Sequence, residues 1–202
     1  MPFGTIMASG WASGLNLYGT VLLLGLAGRF GWAEVPAELQ EPWVLAVAGV
    51  LYVLEFMVDK VPWADSAWDS VHTVIRPIGG GLLGAMFAAE GGDSEALAAL
   101  LGGGFSLTAH GAKASTRALA NTSPEPVSNV ALSFAEDGVV AGMVALALAF
   151  PVIAGVVATV FAIGSVAVTW ILFRTVRKLW RRFQDRRASR QGADPGPGSA
   201  VP

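Results

Sequence analysis

Val152 to Phe173 is an uncharged run, VIAGVVATVFAIGSVAVTWILF, that ends abruptly in RTVRKLWRRFQDRR. A helix needs about 20 mostly apolar residues to cross the hydrocarbon of a bilayer, and this run meets that length without a polar interruption stronger than Ser or Thr. Lys and Arg flanking a span mark its cytoplasmic end, and Trp170 and Trp180 are spaced to sit at the interface. The rest of the chain agrees with a membrane setting. It is 53% hydrophobic and only 14% charged, with 25 glycines and a mean hydropathy of +0.57, a combination foreign to a soluble domain of this size. The net charge of -2 hides an asymmetry, because eight of the thirteen Lys and Arg residues lie between Arg174 and Arg190.

Five further segments are apolar enough to be read as membrane helices. Val127 to Phe150 carries only Ser128, Asn129, Ser133, Glu136 and Asp137 as polar residues, and Pro151 divides it from the last span. Pro42 to Val58 ends in EFMVDKVP, and Ala96 to Ala120 holds His110, Lys113 and Arg117 in its last third. Val74 to Ala89 and Leu15 to Phe30 are short and rich in glycine, or preceded by the broken ASGWASGLN. They suit discontinuous or re-entrant helices, which a membrane tolerates where protein covers the backbone or a wet cavity meets it. The expected fold is therefore all-α and polytopic, with about six membrane segments in residues 1–182 and a disordered cytoplasmic tail over 183–202. Residues 1–90 and 94–182 would form two inverted three-helix repeats of the kind that frame transporter sites. With the basic tail inside, Lys60, Arg76, Lys113 and Arg117 share its side, Arg29 dissents, and both termini are expected in the cytoplasm. The N-terminus has no basic region and no cleavage site of a signal peptide.

His110, Lys113 and Arg117 are spaced i, i+3, i+7 and form a stripe on one helix face. The short SPEP connection turns the chain back, so Lys113 should reach Glu136 or Asp137 at matching depth, and Arg117 should reach toward Ser133 or Asn129. Glu55 and Asp59, at i, i+4, place two carboxylates on another face. Such groups inside a membrane cost about 2.5 to 3.5 kcal/mol each at the centre. They form either a neutralised packing network or a polar cavity that binds a cation, a proton or an anionic head group. Glu55 and Asp59 with Asp65 or Asp69 could ligate Mg²⁺, Ca²⁺ or Mn²⁺ through oxygen, while the common role of Asp65 or Ser66 is to cap a helix over Ala67 to Ile75. Which metal, if any, is unknown from the residues.

The segments ASGLN, EFMVDKVPWADSAWDSVHTVIRP, AHGAKASTRALANTSPEP and SNVALSFAED together resemble the bacterial membrane proteins grouped as domain of unknown function 4126, over Ala8 to about Arg182. The resemblance implies a bacterial cytoplasmic (inner) membrane location and brings no activity. Where that family often has Arg-Pro after ASGL, this chain has Asn16-Leu17. Glu55-Phe-Met-Val-Asp59-Lys60 is also similar, one residue out of step, to the acidic signature of cation/proton exchangers related to the Golgi manganese transporter.

Enzyme motifs are absent: there is no HExxH, GxSxG, GxxxxGK[ST] or cysteine. The glycine runs GGGLLG and LGGGF suit close helix packing, and the basic tail suits anionic lipid rather than nucleic acid. The expectation is a small transporter or channel-like protein without cofactor, working as a homo-oligomer among membrane lipids on a small ion or metabolite. Glu55, Asp59, Glu136 and Asp137 would be ion sites, with His110, Lys113 and Arg117 as counter-charges. A non-transporting scaffold and a lipid-translocating protein are the alternatives.

Overall fold

The computed structural model describes the backbone of residues 3–121 and 126–191, which form seven α-helices and one 3-10 turn. They are α1 (Phe3–Leu15), α2 (Leu17–Arg29), α3 (Pro42–Val58), α4 (Pro62–Gly91), α5 (Glu95–Ala120), α6 (Pro126–Ala149) and α7 (Pro151–Gln191), with the turn at Ala37–Gln40 between α2 and α3. Four helices begin at a proline, whose fixed φ and missing N–H suit the first turn. Asn16 and Ser94 cap α2 and α5 through their side-chain oxygens.

The burial pattern is inverted relative to a soluble protein. Along α3, Trp43, Val47, Val50, Val53 and Met57 face outward, while Glu55 is fully buried. Three helices are long and apolar enough to cross a bilayer, over Trp63–Gly91, Asn129–Ala149 and Pro151–Lys178. The chain thus has the build of a multi-pass membrane protein. The expected count of six spans is not reached by length and composition, since α2 and α3 are shorter apolar helices and the polar end of α5 lowers its hydropathy.

The direction of α1 and α2 organises the molecule. α1 runs parallel to α5, with Gly10 against Gly102 and Gly14 against Ser106 and Ala109. A Cβ on Gly10 would stand 2.5 Å from the Gly102 carbonyl oxygen, so the helices meet backbone to backbone. α2 runs antiparallel to α3, with Gly19 beside Tyr52, Gly25 beside Leu45, and Gly28 beside Gln40. Both α5 and α3 run toward the end of the bundle where Arg117 meets Asp59. α1 therefore descends toward that end, the chain turns at Asn16, and α2 climbs back. Each arm has 13 residues, about 20 Å at 1.5 Å per residue, too short to cross. The pair is a helical hairpin with its tip in mid-bundle.

The break at Asn16 has a local cause. Asn16 is extended (φ -147°, ψ 100°), and its Oδ1 accepts the Gly19 N–H at 2.7 Å. That N–H would otherwise close a helical turn onto the Leu15 carbonyl. Arg29 donates to the Gln40 carbonyl at 3.3 Å and ties the returning arm to the 3-10 turn.

Several expectations change in consequence. The re-entrant reading of Leu15 to Phe30 captures only the returning arm, because ASGWASGL is itself a buried helix. Val74 to Ala89 is not a separate short segment but the second half of a 30-residue helix, which continues through Pro77. Asp65 and Ser66 do not cap a helix over 67–75: α4 starts earlier, after Val61 at the N-cap, and Asp65 points inward. Residues 1–90 form four helices and 94–182 form three, so the described residues do not divide into matching halves. α6 packs chiefly on α1 and α7 rather than on α5. Phe3 lies by Gly4 and Pro151, at the end of the bundle opposite Arg117. α7 passes Gly111 at Thr169 and runs on toward the Arg117 end. Among the described residues, Phe3 and the basic part of α7 therefore lie at opposite ends of the bundle, where one shared side was expected. α7 extends to Gln191, past the point where a disordered tail was expected; residues 192–202, and most of the SPEP connection at 122–125, lie outside the described residues.

Single-cysteine labelling across a bilayer checks the hairpin on this cysteine-free chain. Phe3→Cys is expected to react from the same side as Ser94→Cys and from the opposite side to Thr175→Cys. Labelling of positions 3 and 175 from one side would contradict it.

Candidate functional site

Below the hairpin tip the bundle has lost one helix, and charged side chains fill the space. α4 contributes Asp65, Asp69 and Arg76, a stripe at i, i+4 and i+11 that spans about 16 Å of helix. α3 contributes Glu55 and Asp59, α5 His110, Lys113 and Arg117, and α6 Asn129 and Glu136. Arg76, Lys113 and Arg117 are all within 2% of complete burial, and so are Glu55, Asp65 and His110.

Arg117 holds the lower part. Its Nε and Nη2 grip both oxygens of Glu136 at 3.1 and 2.6 Å, the bidentate geometry that makes Arg–carboxylate pairs specific. Nη2 also reaches Asp59 Oδ2 at 3.3 Å, while Nη1 donates to the carbonyls of Asp59 (2.8 Å) and Asn129 (3.3 Å). Lys113 sits one helical turn higher and donates to Asp59 Oδ2 at 2.9 Å, with Glu136 Oε2 at 3.4 Å and Glu55 Oε1 at 3.5 Å. The expected pairing of Lys113 with Glu136 across the α5–α6 turn is present, and Arg117 reaches Asn129.

Arg76 holds the upper part, near the middle of α4. It pairs with Glu55 Oε1 at 2.5 Å and Asp69 Oδ1 at 3.0 Å, and its Nη1 donates to His110 Nδ1 at 2.8 Å. A guanidinium can only donate, so Nδ1 carries no proton and His110 is the Nε2–H tautomer. Nε2 then donates to Thr73 Oγ1 at 3.1 Å, and that hydroxyl donates to the Asp69 carbonyl at 3.0 Å. His72 makes its own arrangement, stacked on Trp68 with centroids 4.5 Å apart and bonded to the Tyr18 hydroxyl at 2.9 Å.

The hairpin tip joins this network with both of its helix ends. The Leu15 carbonyl, freed by the Asn16 cap, accepts from Lys113 Nζ at 3.1 Å, and the Gly14 carbonyl lies 3.5 Å from Arg76 Nη1. Cations thus meet the negative end of α1. At the positive end of α2, Asn16 Nδ2 donates to Asp137 Oδ1 at 3.0 Å, with the Tyr52 hydroxyl beside it.

Of the expected site residues, Glu55, Asp59, His110, Lys113, Arg117 and Glu136 converge in one cluster, and Asp137 stands at its edge. Among the described residues Asp137 bonds Asn16 instead of a cation. Arg76 and Asn16 were not among the expected site residues, and Asp65 and Asp69 were expected only as metal ligands or, for Asp65, as a helix cap. Arg76 and Asp69 belong to the α4 stripe, which emerges only when 62–91 is read as one helix. Asn16 is signalled only by its cap. The suggested metal set does not form: Glu55 and Asp59 turn to Arg76, Lys113 and Arg117, and among the described residues no three His, Asp or Glu side chains group around a metal-sized space.

The charges do not balance. Glu55, Asp59, Asp65, Asp69, Glu136 and Asp137 surround three buried permanent cations. A fourth cation, Lys60, lies at the α3–α4 turn with Nζ 2.9 Å from the Phe56 ring centroid. Partial burial lowers its pKa, while Asp137 and Asp59 work against that shift. Glu55 Oε2, Asp59 Oδ1 and Asp69 Oδ2 are buried without a hydrogen-bond partner among the described residues. A cleft of about 230 Å³ between α4 and α5, lined by Ser66, Asp69, Ser70, Thr73 and Arg117, leads from the surface to Asp69.

Removing Arg117 takes the bidentate partner from Glu136 and leaves Lys113 alone to face both Glu136 and Asp59. Arg117→Ala should cost about 3 to 5 kcal/mol, and Glu55→Gln should also be strongly destabilising because it strips Arg76 and Lys113 of a shared partner. Asp137→Asn strips no cation and should unfold near the parent temperature. Thermal unfolding of the purified variants in detergent checks this ranking.

A family model described as Domain of unknown function (DUF4126) matches residues 3–172. No curated protein and no solved structure matches the chain. The match takes in the hairpin, every member of the charged cluster and the apolar part of α7, and the chain belongs to the DUF4126 family.

Proposed function

We propose that this chain is a small membrane transporter whose coupling site, for a proton or a small cation, is the acid-rich cluster under the hairpin tip. The observation that carries this reading is the charge imbalance: six carboxylates beside three permanent cations. Fully ionised, the cluster would carry three more negative charges than its buried cations balance, of which Lys60 at the α3–α4 turn offsets at most one, and each unpaired buried charge costs several kcal/mol. Protons or a cation must supply the balance, and a site that takes up and releases charge from one side is half of a coupled transporter.

The geometry supports a direction for access. If α3 to α7 are five spans and the hairpin enters from the outer face, the positive-inside rule would set Lys60 and the basic end of α7 on the cytoplasmic side, with Glu34, Glu38 and Asp93 outside. The cluster then opens toward the cytoplasm through the α4–α5 cleft. Toward the outer face it is closed by the glycine contacts of α1, α4 and α5. Broken helices with their ends at a mid-membrane site are a recurring transporter device.

Asp137 is the carboxylate best suited to exchange its charge. It is half-buried at the positive end of α2 and holds a neutral amide, so neutralising it leaves no cation alone. Glu55, at first reading an exchange site, is fixed between Arg76 and Lys113. The experiment is flux into proteoliposomes against a panel of cations and metabolites under an imposed pH gradient, with stability measured on the same preparations. Asp137→Asn should lose coupled flux at least tenfold while remaining folded. If the parent protein moves nothing across the panel, the scaffold reading replaces transport; if Asp137→Asn transports like the parent, the site is misassigned.

A further inference from the structure

The outer surface of α7 changes chemistry along a single stripe. Val166, Trp170 and Phe173 continue at helical spacing into Arg177, Arg181 and Gln184, so one face passes from apolar to basic over about 22 Å between Val166 and Arg181. The apolar half of the stripe does not lie against a flat bundle. With Leu107, Thr108 and Gly111 of α5 it forms a cleft of about 500 Å³. Gly111 gives the cleft its depth: a Cβ there would already stand 3.3 Å from Thr169 Oγ1.

At Phe173 this cleft gives onto the surface of α7 that carries Val176, Arg177, Trp180 and Arg181. Arg174, Thr175 and Lys178 flank Arg177 and Arg181 on the same exposed stretch of α7. Arg174 is drawn over the Trp170 ring, 4.1 Å from its centroid, which leaves Arg177 and Arg181, one turn apart on the stripe, as the pair facing along it. Guanidinium groups about 5 to 6 Å apart at their Cβ atoms can bracket a phosphate. Trp180, 64% exposed, suits the headgroup layer.

We propose that the α5–α7 cleft and the basic stripe below it are one binding site for an anionic phospholipid, with an acyl chain in the cleft and the phosphate between Arg177 and Arg181. The occupant follows from the order of the two surfaces: an apolar slot that opens into a paired guanidinium clamp at the level of the interface matches a lipid of negative head and apolar tail. A zwitterionic lipid would fit the slot but gain little from the clamp, and a free anion would fit the clamp but leave the slot unused. General attraction of a polybasic segment to an anionic surface, about 1 kcal/mol per Lys or Arg, would not distinguish Arg177 and Arg181 from other basic residues of the same tail. The inference is independent of transport.

Native mass spectrometry of the full chain, released from detergent with added lipid, tests the site. Phosphatidylglycerol should persist as a one-to-one adduct and phosphatidylcholine should not. Arg177→Gln with Arg181→Gln should weaken phosphatidylglycerol at least tenfold, while Arg186→Gln with Arg187→Gln, an equal loss of charge further along the tail, should change it less than twofold. Thr108→Phe, which fills the slot, should weaken the lipid and leave glycerol phosphate unaffected; Val166→Phe serves if that variant fails to fold. Equal losses from the two double variants would reduce the effect to diffuse polybasic attraction. Unchanged lipid binding with the slot filled, or glycerol phosphate competing as well as the lipid, would equally overturn the proposal.

Discussion

The hydrogen bond from Lys113 to the Leu15 carbonyl is the contact around which the molecule is arranged. It exists because Asn16 takes the Gly19 N–H for its own side chain and leaves a helix-ending carbonyl bare in mid-bundle. A bare carbonyl there would cost a few kcal/mol without a partner, and Lys113 meets it with a charge. The same stop makes α1 and α2 two short arms, and the missing lower half of that helix pair is the volume in which the charged cluster sits. Hairpin and cluster are thus conditions of one another: the tip needs cations, and the cations need a place without a helix.

The cluster also explains why so many ionisable groups persist in an apolar chain. Arg76 and Arg117 each bind two carboxylates or more, and Lys113 links their two territories through Glu55 and Asp59. Stability alone does not require such an arrangement, since well-packed apolar residues often serve as well as buried ion pairs. On the proposed function, the ionic version adds an interior whose charge can change: proton or cation uptake would alter the balance that fixes the tip, and Asp137 sits where Asn16 would register it.

Much of this was legible in the sequence, and the failures have physical causes. The pattern of His110, Lys113 and Arg117 on one face, and of Glu55 and Asp59 on another, survived intact because helical spacing determines which side chains share a face whatever the helix packs against. The pairing of Lys113 with Glu136 followed from the short turn between their helices. Asn16 was harder to read, because an Asn within small residues resembles any loop, and its cap becomes visible only with the backbone. Reading the whole of ASGWASGLN as broken, when the stop is Asn16 alone, hid α1, reversed the placement of Phe3, and misnumbered the halves. Splitting Asp65–Arg76 from the glycine-rich run after Pro77 concealed the α4 stripe, since proline normally ends a helix and here does not. Asp137 was expected as an alternative partner of Lys113 and bonds Asn16 instead, because sequence spacing cannot tell which carboxylate a given cation will reach.

The central claim is that this buried cluster exchanges charge with water. Infrared difference spectroscopy of the protein in nanodiscs, on stepping the pH and on adding cations at fixed pH, observes carboxyl protonation directly. The account predicts a buried carboxyl signal that titrates, or is displaced by a cation, and that is reduced in Asp137→Asn. Carboxyl bands in the parent protein that respond neither to pH nor to any cation would contradict it.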